Sequence, residues 1–266
     1  MEGVLMELEK ATACILRVGG TNCDLEVKVA LEDLGLRAEI LHMNQLSDLS
    51  RYHMLVFPGG FSYGDYVRAG AIWGKEVATR FGSQLEAFVE EGKPVMGICN
   101  GFQVLVESGL LPGDGVGNVP KATLANNTSA RYECRWIWLR VERNRSIFTR
   151  HLREGEILHI PVGHGEGRFL LPTEKALDDL VGDEQVVFRY ALPNGKPAGG
   201  SYPHNPNGSL FDIAGISNRL GNVMGMMPHP ERAFFGWQQP DQEGRSRRFG
   251  NGRELFLGAV RYIEGY

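Results

Sequence analysis

The stretch Lys93-Pro94-Val95-Met96-Gly97-Ile98-Cys99-Asn100-Gly101-Phe102-Gln103 decides how this chain is read. An apolar run ends at a cysteine that has one glycine two residues before it and another two after it. Phe102, Gln103, Val104, Leu105, Val106 and Glu107 then read as the start of a helix. A strand entering a helix through so tight a turn is the cysteine version of the nucleophile elbow. The turn forces the side chain into a strained, presented position, and flanking glycines let the backbone pack closely enough to make it. The helix N-terminus then points its unpaired N–H groups and positive dipole end at the sulfur. Both favour an anion there.

Working outward, strand and helix signals alternate through the first half. Residues 11–18 form an apolar β-like run stopped by Gly19-Gly20. Residues 24–34 have helical spacing, with Leu25, Val29 and Leu31 to Leu34 expected on the buried face and Asn22 or Asp24 as cap. Short strands are expected at 37–41, 53–57 and 95–98, with a long amphipathic helix at 72–91. Such alternation predicts an α/β fold, a doubly wound, mostly parallel sheet with helices on both faces. The second half carries extra β elements: strands at 134–141, 156–162, 185–190, 213–216 and 223–227, and helices at 173–181 and 254–263. No internal repeat or long linker divides the chain, which predicts one domain.

Composition narrows the function classes. A net charge of −4 lacks the basic footprint that nucleic-acid binding needs. No apolar run approaches the roughly 20 residues of a membrane span. The start, Met1 to Lys10, has neither the basic beginning nor the apolar core of a signal peptide, so a cytoplasmic location is expected. The four cysteines have no paired spacing, which argues against disulfides and structural zinc. Cys14 and Cys134 are expected to be buried and inert. Cys23, in a glycine loop, is expected at the surface with no chemistry.

In doubly wound sheets, ligands sit at the C-terminal ends of the strands. Three turns qualify: Pro58-Gly59-Gly60, the Cys99 elbow, and Met227-Pro228-His229-Pro230-Glu231. A free thiol titrates near about 8.5 and so needs a base or a positive neighbour to react at neutral pH. His229 fits that need, with Glu231 two residues on to fix its tautomer. An oxyanion formed by thiolate attack needs N–H donors, each worth about 10²–10³ in rate. The amides of Asn100 and the Gly59-Gly60 turn are the candidates.

These residues together resemble the class I, triad-type glutamine amidotransferases: a glycine-turn oxyanion loop, a Gly-x-Cys-x-Gly-x-Gln elbow and a late His-Pro-Glu stand here in that order. Within the class, residues 57–71, 161–169 and 205–233 resemble the glutaminase subunits of phosphoribosylformylglycinamidine synthase, and the similarity runs from about residue 11 onward. The resemblance implies one glutamine amidotransferase type 1 domain over 1–266, of flavodoxin-like fold. It implies Cys99, His229 and Glu231 as catalytic triad, with Gly60 and Asn100 as oxyanion hole. Gly59, Gln103, His164 and Gly165 are implied to bind L-glutamine. It implies that ammonia passes to a synthetase subunit (PurL) beside a small subunit (PurS), with ATP and Mg used by that partner and no cofactor or metal in this chain. The sequence has no Gly-x-x-x-x-Gly-Lys-[Ser/Thr] phosphate loop of its own. Residues 61–70 are a candidate docking loop, and 238–253 reads as an inserted, solvated loop. Two rivals stand beside this: another amidotransferase or thiol hydrolase of the same fold, and a regulatory subunit that binds glutamine without cleaving it.

Overall fold

Five strands run parallel side by side: Arg37–His42 (β2), Thr12–Arg17 (β1), Met54–Phe57 (β3), Val95–Ile98 (β4) and Val223–Met226 (β11). The central three, β3, β4 and β11, are short, nearly continuous apolar runs, as strands covered on both faces must be, and every residue in them is buried, whereas the edge strand β2 mixes charged and apolar residues. The computed structural model describes residues 8–113 and 115–265. The start that was read for a signal peptide falls partly on 1–7, outside the described residues.

The sheet does not stop at β11. Ile213–Ser217 (β10), Val186–Ala191 (β9), Glu133–Val141 (β6) and Ile157–His164 (β7) extend it, each antiparallel to its neighbour, to nine strands. A separate antiparallel pair, Thr123–Asn126 (β5) with Glu166–Leu170 (β8), has no counterpart in the sequence-based expectations. The predicted doubly wound, parallel arrangement is the first half of the sheet, and the extra β elements are its antiparallel continuation.

The helices are Asp24–Asp33 (α1), Ala71–Glu90 (α2), Asn100–Glu107 (α3), Glu174–Gly182 (α4), Gln242–Ser246 (α5) and Arg253–Glu264 (α6). In α2, Trp73, Val77, Phe81, Leu85 and Phe88 recur every three or four residues and are all buried, the stripe that holds an amphipathic helix on a sheet. Each such side chain contributes roughly 1.5–3 kcal/mol. Helix α1 corrects an expectation. Leu25 and Val29 are 65% and 51% exposed, while Val27, Ala30 and Leu31 are buried. Arg17 at the end of β1 holds the Asp24 carboxylate at 3.0 Å and turns the first residue of the helix inward. Neither Asn22 nor Asp24 caps it; the N-cap is Cys23, without a side-chain cap bond.

Because β1, β3, β4 and β11 are parallel, the turns after them open on one edge of the sheet. That places the Gly19-Gly20, Pro58-Gly59-Gly60, Cys99 and Pro228–Glu231 segments together.

Candidate active site

Cys99 has φ 51° and ψ −106°, a left-handed conformation that side chains rarely take, immediately before the first residue of α3. The glycines around it are steric necessities. A Cβ on Gly101 would stand 1.8 Å from the Phe57 carbonyl oxygen, and one on Gly97 would stand 2.6 Å from that of Gly101. Strand β3, strand β4 and α3 therefore meet without side chains between them, and the strain falls on Cys99. Its thiol is 5% exposed and donates to the Gly163 carbonyl at 3.4 Å.

His229 follows β11, between two prolines, and is 3% exposed. Its Nδ1 lies 2.6 Å from Glu231 Oε1, and the Glu231 side chain is fully buried. Burial pushes the imidazole toward its neutral form. The Glu231 carboxylate at Nδ1, the charge of a Cys99 thiolate and the Cys23 contact outweigh it, so the His229 proton is held well above the usual imidazole range. Its Nε2 has no partner in hydrogen-bonding geometry among the described residues. The ring also needs room, because a Cβ on Gly59 would stand 2.7 Å from His229 Cε1.

Cys23 corrects the sequence-based expectation. It is buried, 1% exposed, with its sulfur 3.9 Å from His229 Nδ1 and 3.1 Å from Arg232 Nη2. The Gly59 carbonyl accepts the amides of Asn22 and Cys23 and folds that loop over the site. Burial raises the Cys23 thiol despite the His229 hydrogen bond. Cys23, His229 and Glu231 have donor atoms within 4.8 Å of one another, spacing that a metal ion could bridge. In this structure the three side chains are joined by hydrogen bonds, Glu231 to His229 and His229 to Cys23, with Arg232 donating to the Cys23 sulfur. Of the other thiols, Cys14 is buried as expected and pushed up to about 12 by burial and then by Glu39. Cys134 is exposed, contrary to expectation, because it occupies an outward position of β6.

The amide of Asn100 opens α3, and Gly60 lies in the turn after β3. The Asn100 side chain ties these two pieces together: its Oδ1 accepts the Ser62 amide at 3.1 Å and its Nδ2 donates to Gln103 Oε1 at 2.9 Å. Gln103 Nε2 donates in turn to the Glu166 carbonyl at 2.5 Å. Gln103 thus joins the nucleophile helix to β8, with both ends of its amide engaged. Residues 61–70 are strapped to the same network, through Ala69 N to Glu166 Oε2 and a bidentate Arg68–Glu107 pair at 2.6 and 2.7 Å. Sequence reasoning did not single out Asn100 and Glu166 for this role.

His164 ends β7 and is 3% exposed, and Gly165 follows it and accepts the Asn127 amide at 2.9 Å. Tyr132, 51% exposed, feels the charges of Cys99 and His229 and leans on Phe61 with ring centroids 6.2 Å apart. These two rings rim the buried thiol. Cavities of about 570 Å³ beside Trp138 and His159 and about 630 Å³ beside Arg150 and Arg261 include no triad residue. The former is lined in part by the 238–253 segment, whose residues 241–243 and 245–248 are exposed, as expected of a solvated loop, although it also carries α5 and the buried Gln239.

Residues 10–263 match the model of the CobB/CobQ-like glutamine amidotransferase domain. The phosphoribosylformylglycinamidine synthase subunit PurQ of Archaeoglobus fulgidus is 44% identical, over 97% of this chain and 99% of the relative. The PurQ subunit of Thermus thermophilus is 43% identical over 94% and 97%. The chain belongs to the PurQ branch of these amidotransferases. In the solved structure of PurLQS from Thermotoga maritima, the matching chain superposes with a TM-score of 0.72 at 34% identity, covering 96% of this chain and 99% of that one. A second Thermotoga maritima glutamine amidotransferase, at 15% identity and a TM-score of 0.56, shares the fold.

Proposed function

We propose that this chain is the glutaminase subunit of a phosphoribosylformylglycinamidine synthase. It hydrolyses L-glutamine and passes the ammonia to a synthetase subunit, PurL, assembled with the small subunit PurS. That partner uses ATP and Mg to turn formylglycinamide ribonucleotide into formylglycinamidine ribonucleotide in purine synthesis. The observation that carries this is the strained Cys99 set against the His229–Glu231 pair, in a chain matching PurQ subunits end to end.

The chemistry follows from the geometry. Cys99 gives its thiol proton to His229 as its sulfur attacks the side-chain carboxamide carbon of glutamine, and the developing oxyanion accepts the Gly60 and Asn100 amides. The C–N bond then breaks. His229 gives its proton to the departing nitrogen, which leaves as ammonia, and Cys99 is left as a glutamyl thioester. Water adds to the thioester with His229 as base, releasing glutamate and restoring the thiol. Glu231 holds the imidazole in the required tautomer throughout. Gly59, Gln103, His164 and Gly165 form the surrounding shell for the amino acid, Gln103 by holding the nucleophile helix against β8.

The docking face for the synthetase is the loop 61–70. Tyr66 and Val67 at its tip are 76% and 85% exposed, and Tyr63, Asp65 and Val67 all hold positive φ. Its base is fixed to the oxyanion turn and to α3, so contact at the tip reaches the site. The chain acts as one domain in the cytoplasm. Among the described residues no helix is long and apolar enough to cross a membrane.

The test is glutamine-dependent product formation by the complex with Cys99→Ala. Glutamine turnover should fall by roughly 10⁴-fold or more, while free ammonia still supports product formation. Glutamine-dependent activity that survives in that variant contradicts the mechanism.

A further inference from the structure

His164 holds a hydrogen-bond acceptor that no other described residue uses. Asn127 Nδ2 donates to the carbonyls of Arg131 at 2.9 Å and His164 at 2.8 Å. With its N–H donors spent on carbonyls, the Asn127 side chain is fixed in orientation, and its Oδ1, 3.1 Å from His164 Nδ1, accepts. Nδ1 therefore carries the proton and Nε2 carries the lone pair. This assignment comes from the hydrogen-bond network around the ring. The ring is held in place: a Cβ on Gly167 would stand 2.6 Å from Nδ1 and 2.7 Å from Cε1.

Nε2 itself is buried and has no partner among the described residues. A buried acceptor without a donor is costly, and one kept in a native site calls for a donor from outside the chain. Its position says which. The preceding residue, Gly163, takes the Cys99 thiol through its carbonyl, and His164 is close enough to His229 to feel its charge. The ring that carries the unused lone pair thus stands one residue after the carbonyl that holds the nucleophile's thiol. Burial, and after it His229, push the ring down to about 3, so it stays neutral at every pH at which the site works.

We propose that His164 Nε2 accepts an N–H of the glutamine carboxamide and keeps that hydrogen bond as the nitrogen leaves. This deepens the glutaminase function proposed above and rests on it. A lone-pair acceptor suits this step in two ways. The carboxamide nitrogen is the one part of the reacting group that carries hydrogens, so the contact selects an amide over an ester. It also offers no proton of its own. His229 supplies the single proton that completes NH3, and a second protonated imidazole beside it would trap the product as ammonium, which cannot act as a nucleophile. The tautomer set by Asn127 keeps His164 on the accepting side.

The test compares kcat/KM for glutamine with that for glutamine's γ-methyl ester, which has no N–H on its leaving group, in the assembled complex. His164→Leu should lower the glutamine-to-ester ratio about tenfold. His164→Gln, whose amide oxygen can reach the Nε2 position, should restore most of it. Asn127→Leu, which frees the tautomer, should lower the ratio by less than His164→Leu. A parallel loss on both substrates, or no loss on either, overturns the proposal. An independent readout needs no variant: the ¹⁵N signals of His164 should show a protonated Nδ1 and a bare Nε2 from pH 5 to 9, and an Nε2–H tautomer overturns it. Failure of the glutaminase function itself looks different, because there Cys99→Ala would leave glutamine hydrolysis standing.

Discussion

The two halves of the sheet do different work. The parallel strands β3, β4 and β11 end at one edge and deliver the Gly59-Gly60 turn, the strained Cys99 and the His229–Glu231 pair, the groups to which the proposed chemistry is assigned. The antiparallel strands beside them deliver no group that takes part in bond making. They supply the wall: Gly163 and His164 from β7, with Tyr132 just before β6. The contrast teaches that reacting groups come from converging strand ends, where backbone strain can be held by close packing. The hairpin edge of β7 closes on the elbow from the other side, where the Gly163 carbonyl accepts the Cys99 thiol.

That division can be broken by substitution. Glu231→Gln leaves the shape of the parallel edge but removes the charge that holds His229 in its tautomer. Glutamine turnover should fall by about 10³–10⁴-fold with a circular-dichroism spectrum and thermal midpoint close to those of the parent. A loss below tenfold would put the orientation of His229 elsewhere, in Cys23 or the backbone.

Stability sharpens the same contrast. Leu31 is fully buried where α1 packs on the parallel half, so Leu31→Ala should cost about 2–5 kcal/mol in denaturant unfolding. The pH dependence of stability isolates His229. Its folded value is raised above the ordinary 6.5 by Glu231 and Cys99, which outweigh burial. The stabilisation is then whole below about pH 6.5 and is lost as pH rises through the raised folded value. The difference in melting temperature between the parent and His229→Gln should shrink from neutral to alkaline pH, and a difference that stays flat contradicts the assignment. Leu25→Lys should change stability by less than about 0.5 kcal/mol, since Leu25 faces solvent.

Much of the parallel half was legible in the sequence because its signals are local. An apolar run of four residues closed by glycines says where a strand stops, and the Gly97–Cys99–Gly101 spacing says what stands there. Other features depend on distant partners. Apolar spacing placed Leu31 correctly but not Leu25 and Val29, because the Arg17–Asp24 pair turns the start of α1 inward. Cys23 read as a residue that could be exposed because its loop is polar and glycine-rich, and it is buried by groups from across the site, Gly59, His229 and Arg232. The pairing of β5 with β8 left no trace in either segment, since each is only four or five residues long and mixes polar with apolar residues. Asn127, in a turn-like Asn-Asn-Thr run, gave no sign that it fixes a histidine tautomer.

The central claim is that Cys99 carries the glutamyl group. Intact and peptide mass spectrometry of the complex, quenched in acid during glutamine turnover, tests it most directly. The account predicts a glutamyl thioester on the peptide containing Cys99, absent in Cys99→Ala and cleaved by hydroxylamine. Steady glutamine turnover with no adduct on Cys99, or with the adduct on another residue such as Cys23, would contradict it.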